Sequence, residues 1–271
     1  GSDAGGVVVK DADSVVRESG TAVLPEGAAS IIDGLTVIWP TGTLSTAEQI
    51  LVKGLNSWWL PAALELIDES YGLSFTKEDV LGNTLKVKFS NNNNSILASM
   101  GYNTSGELGL TLTINEYYYG AIQEGDENGT TDRAGMSQAL DRTLAHEFVH
   151  ALMMANISSF SSLPQFITEG TADLVQGIDD KWSSLISTLA ANPYSLKSAL
   201  DLTDTGTGSS NSYVAGYMLL RYMAAQADTG AKICYADNDT RLIIGKGCTS
   251  DVIWLGDPAA TKAYSTSVRT I

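Results

Sequence analysis

The chain has 271 residues and a formal net charge of −15, and hydrophobic residues make up 44% of it. This hydrophobic fraction is sufficient for a sizeable core and too high for a disordered chain. No apolar run approaches the ~20 residues that cross a bilayer. The 16 lysines and arginines are scattered, without the basic patch that nucleic acids and anionic membranes require. We therefore expect no nucleic-acid partner and no membrane span.

Strand-like segments come first in the chain, and helical segments follow. Residues 1–34 are rich in Gly, Ala and Asp, and their short Val runs predict an arm or loosely held strands. Later strands are predicted at 35–39, 84–90 and 110–120, and loops at 91–109 and 125–135. A capping box of Ser45 and Glu48 begins a long helix that has a kink near Pro61 and ends at Gly72. Further helices are predicted at 142–157, 165–177, 181–190 and 212–226.

This order of elements is typical of an α+β fold with two lobes. We predict four units: an N-terminal arm or strands at 1–34, a sheet lobe at 35–160 that ends with the helix at 142–157, a helical lobe at 161–230, and a strand-rich extension at 231–271. Cys234 and Cys248 lie in the extension, beside strand-like runs with turn residues between them. A disulfide that closes a hairpin is the favoured interpretation for an extracellular chain; two separate buried thiols are the alternative.

Both histidines of the chain lie in the stretch AHEFVHAL, as His146 and His150. Residues four apart share one face of a helix, so the two imidazoles can bind one tetrahedral zinc ion. Glu147 lies about 100° further round the helix, where a general base can take a proton from a metal-activated water. This is the H-E-x-x-H pattern of zinc peptidases. The alternative is an amphipathic core helix, but three buried polar side chains without partners would be destabilising.

A catalytic zinc site needs a third protein ligand and an open position. Asn156 stands where one class of zinc peptidases has a third histidine, and this chain has no further histidine. Glu169, in the stretch ITEGTAD on the next predicted helix, offers a carboxylate; a solvent-facing glutamate is the alternative. Asp173 is four residues later on the same helical face. There it can accept a hydrogen bond from the second nitrogen of a ligating histidine.

The spacing H-E-x-x-H followed by E-x-x-x-D resembles the gluzincin zinc peptidases over residues 141–180. Within that group, LDRTLAHEFVHALMMANI and LPQFITEGTADLVQGIDD look like flagellinolysin, a peptidase domain of some bacterial flagellins, and the related clostridial collagenases. GLNSWWLPAALELIDESYGL looks like the beginning of the same domain. The resemblance implies a two-lobed zincin fold with a peptidase core over about residues 30–230 and a zinc endopeptidase activity.

The stretch SYVAGYMLLRYM resembles the Y-x-x-G-x-x-L-L-x-Y segment of many gluzincins. The resemblance implies that Tyr213 donates a hydrogen bond to the tetrahedral oxyanion, which needs such a donor on chemical grounds. Tyr217 is the rival, and core packing is the alternative. The resemblance also implies that segment 110–120 is an edge strand that pairs with an extended substrate. An ordinary sheet strand with an aromatic face is the alternative there.

These observations favour a zinc-dependent endopeptidase that is extracellular or at the cell surface, acts on proteins or peptides, and is a monomer. Calcium is a further candidate ligand, at Asp126, Asn128 and Asp132, although their spacing does not fit an EF-hand and acidic turns are common without metal. Two other functions stay open. One is a surface or filament protein that keeps the zinc site for binding alone, which the intact Glu147 disfavours. The other is an aminopeptidase, for which no group that captures the substrate amine can be identified.

Overall fold

The structure has mixed strands and helices, and the class is α+β, as expected. A computed structural model describes residues 10–11, 14–15, 29–76, 79, 81–103, 109–206, 209–227, 232–235 and 242–245. The strands are β1 (Lys10–Asp11), β2 (Ser14–Val15), β3 (Ala29–Ile32), β4 (Leu35–Ile38), β5 (Thr84–Ser90), β6 (Ala98–Asn103), β7 (Gly109–Asn115), β8 (Lys232–Tyr235) and β9 (Leu242–Gly245). The helices are α1 (Thr46–Gly54), α2 (Leu60–Tyr71), α3 (Glu116–Tyr119), α4 (Leu140–Asn156), α5 (Gln165–Gln176), α6 (Asp179–Ala191), α7 (Pro193–Ala199) and α8 (Ser210–Ala227).

Five strands form the main sheet, in the order β3-β4-β5-β7-β6. The three central strands are parallel, while β3 and β6 run antiparallel to their neighbours at the two edges. Separate antiparallel pairs join β1 to β2 and β8 to β9. The predicted boundary between residues 34 and 35 falls within the β3–β4 hairpin. None of the helices in the described residues has the length and apolar character that a membrane span needs.

The capping box at the start of α1 is confirmed. The Glu48 backbone N–H donates to Ser45 Oγ at 3.1 Å, and the Ser45 N–H donates to Glu48 Oε2 at 2.6 Å. One turn of π-helix at Leu55–Trp59 separates α1 from α2. Pro61 directly follows this turn, in the first residues of α2, and because the helical backbone continues through the π-turn, its missing N–H removes one helical hydrogen bond there. The helix ends at Gly72, whose φ of 64° is left-handed, as a glycine cap allows.

Two predictions about the sheet are wrong. Segment 110–120 is not an edge strand, because β7 pairs with β5 on one side and with β6 on the other. Its last residues form α3, where the Asn115 side chain accepts the Tyr117 N–H. The edge strand beside β7 is β6, in a segment predicted to be loop. Ala98 is the one buried residue of β6, so this strand has no apolar alternation from which a pattern could be read.

The buried side chains form two clusters. The larger lies between the sheet and helices α1, α2 and α4. The smaller lies among α5, α6, α7 and α8. Helix α5 contributes to both clusters, with Ala172 and Val175 in the larger and Leu174 in the smaller. The predicted disulfide cannot be placed in this arrangement, because Cys248 lies outside the described residues.

Helices α5 and α8 approach each other through two glycines. A Cβ atom on Gly216 would lie 1.9 Å from the carbonyl oxygen of Phe166, and one on Gly170 would lie 2.5 Å from the carbonyl carbon of Gly216. Neither helix could keep its position if these residues carried side chains, since real atoms do not approach so closely. The spacing between Glu169 on α5 and Tyr213 on α8 depends on this contact.

We predict that Gly216→Ala destabilises the protein. The added methyl group must push α8 away from α5, and such overpacking lowers the free energy of unfolding by about 1–3 kcal/mol or more. That loss exceeds the gain of about 1 kcal/mol in helix propensity. Urea unfolding measures the difference. Gly135→Ala is the control, because a Cβ atom there meets nothing within 4 Å. Equal stability of the Gly216→Ala variant and the wild type would contradict the close approach.

Candidate metal centre

Three side chains from α4 and α5 converge on one point. The Nε2 atoms of His146 and His150 are 3.1 Å apart, and each lies 3.3 Å from Oε2 of Glu169. Ligands that are ~2.0–2.1 Å from a tetrahedral zinc ion are separated from one another by about 3.3–3.4 Å. The three atoms thus have the spacing of one face of a zinc coordination tetrahedron. Such acceptor atoms repel one another unless a proton or a cation lies between them.

Asp173 lies one turn after Glu169 on α5 and faces the other nitrogen of His146. The distance from His146 Nδ1 to Asp173 Oδ1 is 3.2 Å, close enough for an ion pair although the two groups are not aligned as a hydrogen bond. Asp173 is almost completely buried. A carboxylate in this position fixes the orientation and tautomer of a ligating histidine. The Nδ1 atom of His150 is also buried and has no hydrogen-bond partner among the described residues.

The ionisable groups of the centre perturb one another strongly. Burial lowers the pKa of His146, but its interactions with Asp173 and Glu169 outweigh burial and raise that pKa to about 10. Burial likewise opposes ionisation of Glu169, yet the hydrogen bonds with both histidines hold its pKa well below the ordinary value. These interactions therefore favour an ionised Glu169 and a proton on His146. A metal ion bound at these atoms would have to displace that proton.

Glu147 is buried beside this centre and is not part of the ligand triangle. Burial raises the pKa of its carboxyl group, while His146 and His150 oppose that rise. A raised pKa suits a group that accepts a proton and later returns it. The backbone N–H of Met100 donates a hydrogen bond to the Glu147 carboxylate. Met100 belongs to β6, a segment that the sequence pattern predicts as loop, so this contact could not be predicted.

Tyr213 of α8 reaches the same centre. Its hydroxyl is within hydrogen-bonding range of the side chains of Glu169 and Gln165. Burial, together with the negative charges of Glu169 and Asp173, raises its pKa, so the hydroxyl stays protonated and can donate. Gln165 was not among the predicted site residues, because a single glutamine at a helix start has no distinctive pattern. Its side chain is buried, one turn before Glu169 on α5.

Tyr217, the alternative candidate for the oxyanion donor, forms hydrogen bonds with residues of α6 and α8. Tyr217 is fully buried, its hydroxyl donates to Asp179 Oδ1 at 2.9 Å, and it accepts a hydrogen bond from Arg221 Nη1 at 2.7 Å. These three side chains lie among α6 and α8. Of the two tyrosines considered for the oxyanion, the structure brings Tyr213 to the candidate metal centre.

In the predicted calcium loop, backbone N–H groups bind the Asp126 side chain. Asp126 accepts the N–H groups of residues 128–130 at 2.9–3.1 Å and the Thr130 hydroxyl at 3.0 Å. Within the described residues, one group of His, Cys, Asp and Glu side chains is close enough to share a metal ion, and it consists of His146, His150 and Glu169. Calcium at Asp126, Asn128 and Asp132 stays a prediction.

No protein-family model, curated protein or solved structure matches this chain. The H-E-x-x-H motif and the geometry of the candidate metal centre are therefore the observations that bear on function.

Proposed function

We propose that the protein is a zinc-dependent endopeptidase of the gluzincin type that acts on extracellular or surface proteins. The observation that carries the proposal is the triangle formed by two imidazole nitrogens and a carboxylate oxygen, with edges of 3.1–3.3 Å. Two neutral imidazoles and one carboxylate are a ligand set that suits zinc. Zinc held there would supply Lewis acidity, which activates water and polarises a carbonyl group.

Glu147 is the proton carrier in this proposal. It accepts the proton of the attacking water and then passes it to the leaving amine, a role that its raised pKa supports. Asp173 keeps His146 in the orientation that presents Nε2 to the metal. Among the residues that the structure describes, Glu147, Glu169 and Asp173 thus each have a task in the proposal, and none of these three carboxylates is left to capture a substrate amine, which favours an endopeptidase over an aminopeptidase.

Tyr213 supplies a hydrogen bond to the oxygen that becomes negatively charged when water attacks. Its interaction with Glu169, one of the proposed zinc ligands, supports this role. The strand β6 offers the path for the substrate. It is the last strand of the sheet beside β7, and its Met100 N–H contacts Glu147. An extended peptide that adds to this edge would pass in front of the metal centre.

Casein cleavage with and without a chelator tests the proposal as a whole. The protein should cleave casein, lose this activity when zinc is removed and regain it when zinc is restored. Zinc-loaded protein that binds casein fragments without cleaving them would instead support a binding module.

We expect the purified protein to hold close to one zinc ion per chain. His150→Ala removes one ligand of three and should weaken zinc binding by about 100-fold or more, because changes beyond the ligands already cost 10–100-fold. Competition with a chromophoric chelator measures the affinity. Asn156→Ala is the control at the exposed end of the same helix. Zinc affinity that is unchanged in His150→Ala would rule out this centre.

Glu147→Gln should keep zinc and the fold but lose about 10²–10⁴-fold in kcat, since an amide cannot accept the water proton. Steady-state cleavage of a quenched fluorescent peptide measures the loss. Glu65→Gln, at an exposed position on α2, should behave as wild type. If Glu147→Gln retains more than about a tenth of the wild-type rate, another group is the base.

Tyr213→Phe should lower kcat by about 10²–10³-fold with KM nearly unchanged, because the hydroxyl acts mainly in the transition state. Tyr217→Phe is the comparison. It should lower the free energy of unfolding by about 1–3 kcal/mol, because it removes a buried hydrogen-bond partner of Asp179, and it should reduce kcat far less. The opposite ranking of the two kcat values would transfer the oxyanion role to Tyr217.

A further inference from the structure

Two adjacent aspartates at the start of α6 connect the helices that carry the candidate site. Asp180 pairs with Arg142 of α4, and Asp179 pairs with Arg221 of α8. Helix α6 begins with these aspartates only two residues after α5 ends. One short junction therefore contacts the helix of the histidines, the helix of the carboxylates and the helix of Tyr213.

Arg142 connects α4 to the C-terminal end of α5 through hydrogen bonds and an ion pair. Its fully buried guanidinium binds Asp180 through two bonds, Nη1 to Oδ2 at 2.8 Å and Nη2 to Oδ1 at 2.9 Å. The guanidinium also donates to the carbonyl oxygens of Gln176, at 3.2 Å, and of Gly177. These carbonyls lie at the C-terminal end of α5, where no helical N–H follows. Arg142 is one turn before His146, so this contact fixes α5 beside the histidines.

The pair between Arg142 and Asp180 is charged. Burial alone would raise the pKa of Asp180, but the Arg142 guanidinium outweighs burial and holds that pKa below its ordinary value. A bidentate contact of this kind fixes direction as well as distance. Loss of the negative charge would leave a buried guanidinium that is only partly paired.

Asp179 connects α8 to the start of α6 in a corresponding way. Arg221 Nη1 donates to both of its carboxylate oxygens, at 2.8 and 3.1 Å, and the Tyr217 hydroxyl donates to Oδ1 at 2.9 Å. Tyr217 and Arg221 lie four and eight residues after Tyr213, so all three occupy one side of α8. The contact therefore sets the rotation of α8 about its axis, and with it the position of the Tyr213 hydroxyl.

We propose that Asp179 and Asp180 are positioning residues with separate tasks. Asp180, through Arg142, sets the spacing of the metal ligands, whereas Asp179, through Tyr217 and Arg221, sets the place of the Tyr213 hydroxyl. The assignment rests on the proposed function of the site. A purely structural role would instead make the two aspartates equivalent, with each of them lowering stability and neither acting on one half of the site.

Zinc affinity separates the two aspartates without any measurement of activity. Asp180→Asn should weaken zinc binding about 10–100-fold, as changes beside metal ligands do, and should alter the absorption spectrum of the cobalt-loaded protein. Asp179→Asn should leave zinc affinity within about twofold, since its carboxylate binds Tyr217 and Arg221 of α8 and not the helix of the histidines. Asp68→Asn is the control, an exposed acid on α2. Equal zinc affinities in the Asp179 and Asp180 variants would overturn the division of tasks.

A double-mutant cycle tests Asp179. With saturating zinc, Asp179→Asn should lower kcat about tenfold or more and leave KM unchanged. In the Tyr213→Phe background the same substitution should cost less than about twofold, because the hydroxyl that it displaces is absent. The melting temperature of each variant shows whether it is folded at the assay temperature. Equal losses in the two backgrounds would mean that Asp179 does not act through Tyr213.

Binding of a phosphinic peptide, whose tetrahedral anion resembles the transition state, distinguishes failure of this assignment from failure of the proposed function. Calorimetry should find weaker binding to Asp179→Asn than to wild type. Unchanged binding, with casein cleavage intact in the wild type, would overturn the Asp179 assignment alone. A wild type that neither cleaves casein nor binds the peptide would refute the proposed function and the Asp179 assignment together, while zinc affinity would still decide the Asp180 assignment.

Discussion

The close packing of α5 between α4 and α8 is the constraint on which the candidate site depends. On one side, α5 presents Glu169 and Asp173 to the histidines of α4. On the other side, Gly170 and Gly216 let α8 come close enough for Tyr213 to reach Glu169. A carboxylate ligand must be placed to within a few tenths of an ångström to complete a tetrahedral site, so a shift of α5 in either direction would disturb the proposed metal ligands or the proposed oxyanion donor.

The charges around α5 explain how a buried, acidic centre is held together. His146, Glu169 and Asp173 are nearly buried, and each has an oppositely charged or hydrogen-bonding neighbour within the centre. Away from it, the buried guanidinium groups of Arg142 and Arg221 are each paired with an aspartate of α6. Buried pairs of this kind add little net stability, but they resist rearrangement, because separating them leaves an unpaired charge.

The local pattern of the sequence predicts the ligands, and it does so for a geometric reason. His146 with His150, and Glu169 with Asp173, are each four residues apart, and helix geometry alone puts each pair on one face.

Other parts of the site have no local signal. Strand β6 is mostly exposed and lacks alternation, so its edge position and the Met100 contact were missed. Arg142 and Asp180 are 38 residues apart, and only the packing of the helices brings them together. The order of the elements along the chain predicts the α+β class. It does not predict which strands lie at the edges of the sheet.

X-ray absorption spectroscopy at the zinc edge of the metal-loaded protein tests the central claim most directly, because it reads the ligand atoms themselves. The account predicts four nitrogen or oxygen neighbours at about 2.0–2.1 Å, with the outer-shell scattering of two imidazole rings. A sulfur neighbour at about 2.3 Å, a shell of six oxygens, or the absence of imidazole scattering would show that zinc is bound elsewhere and would contradict the assignment of His146, His150 and Glu169.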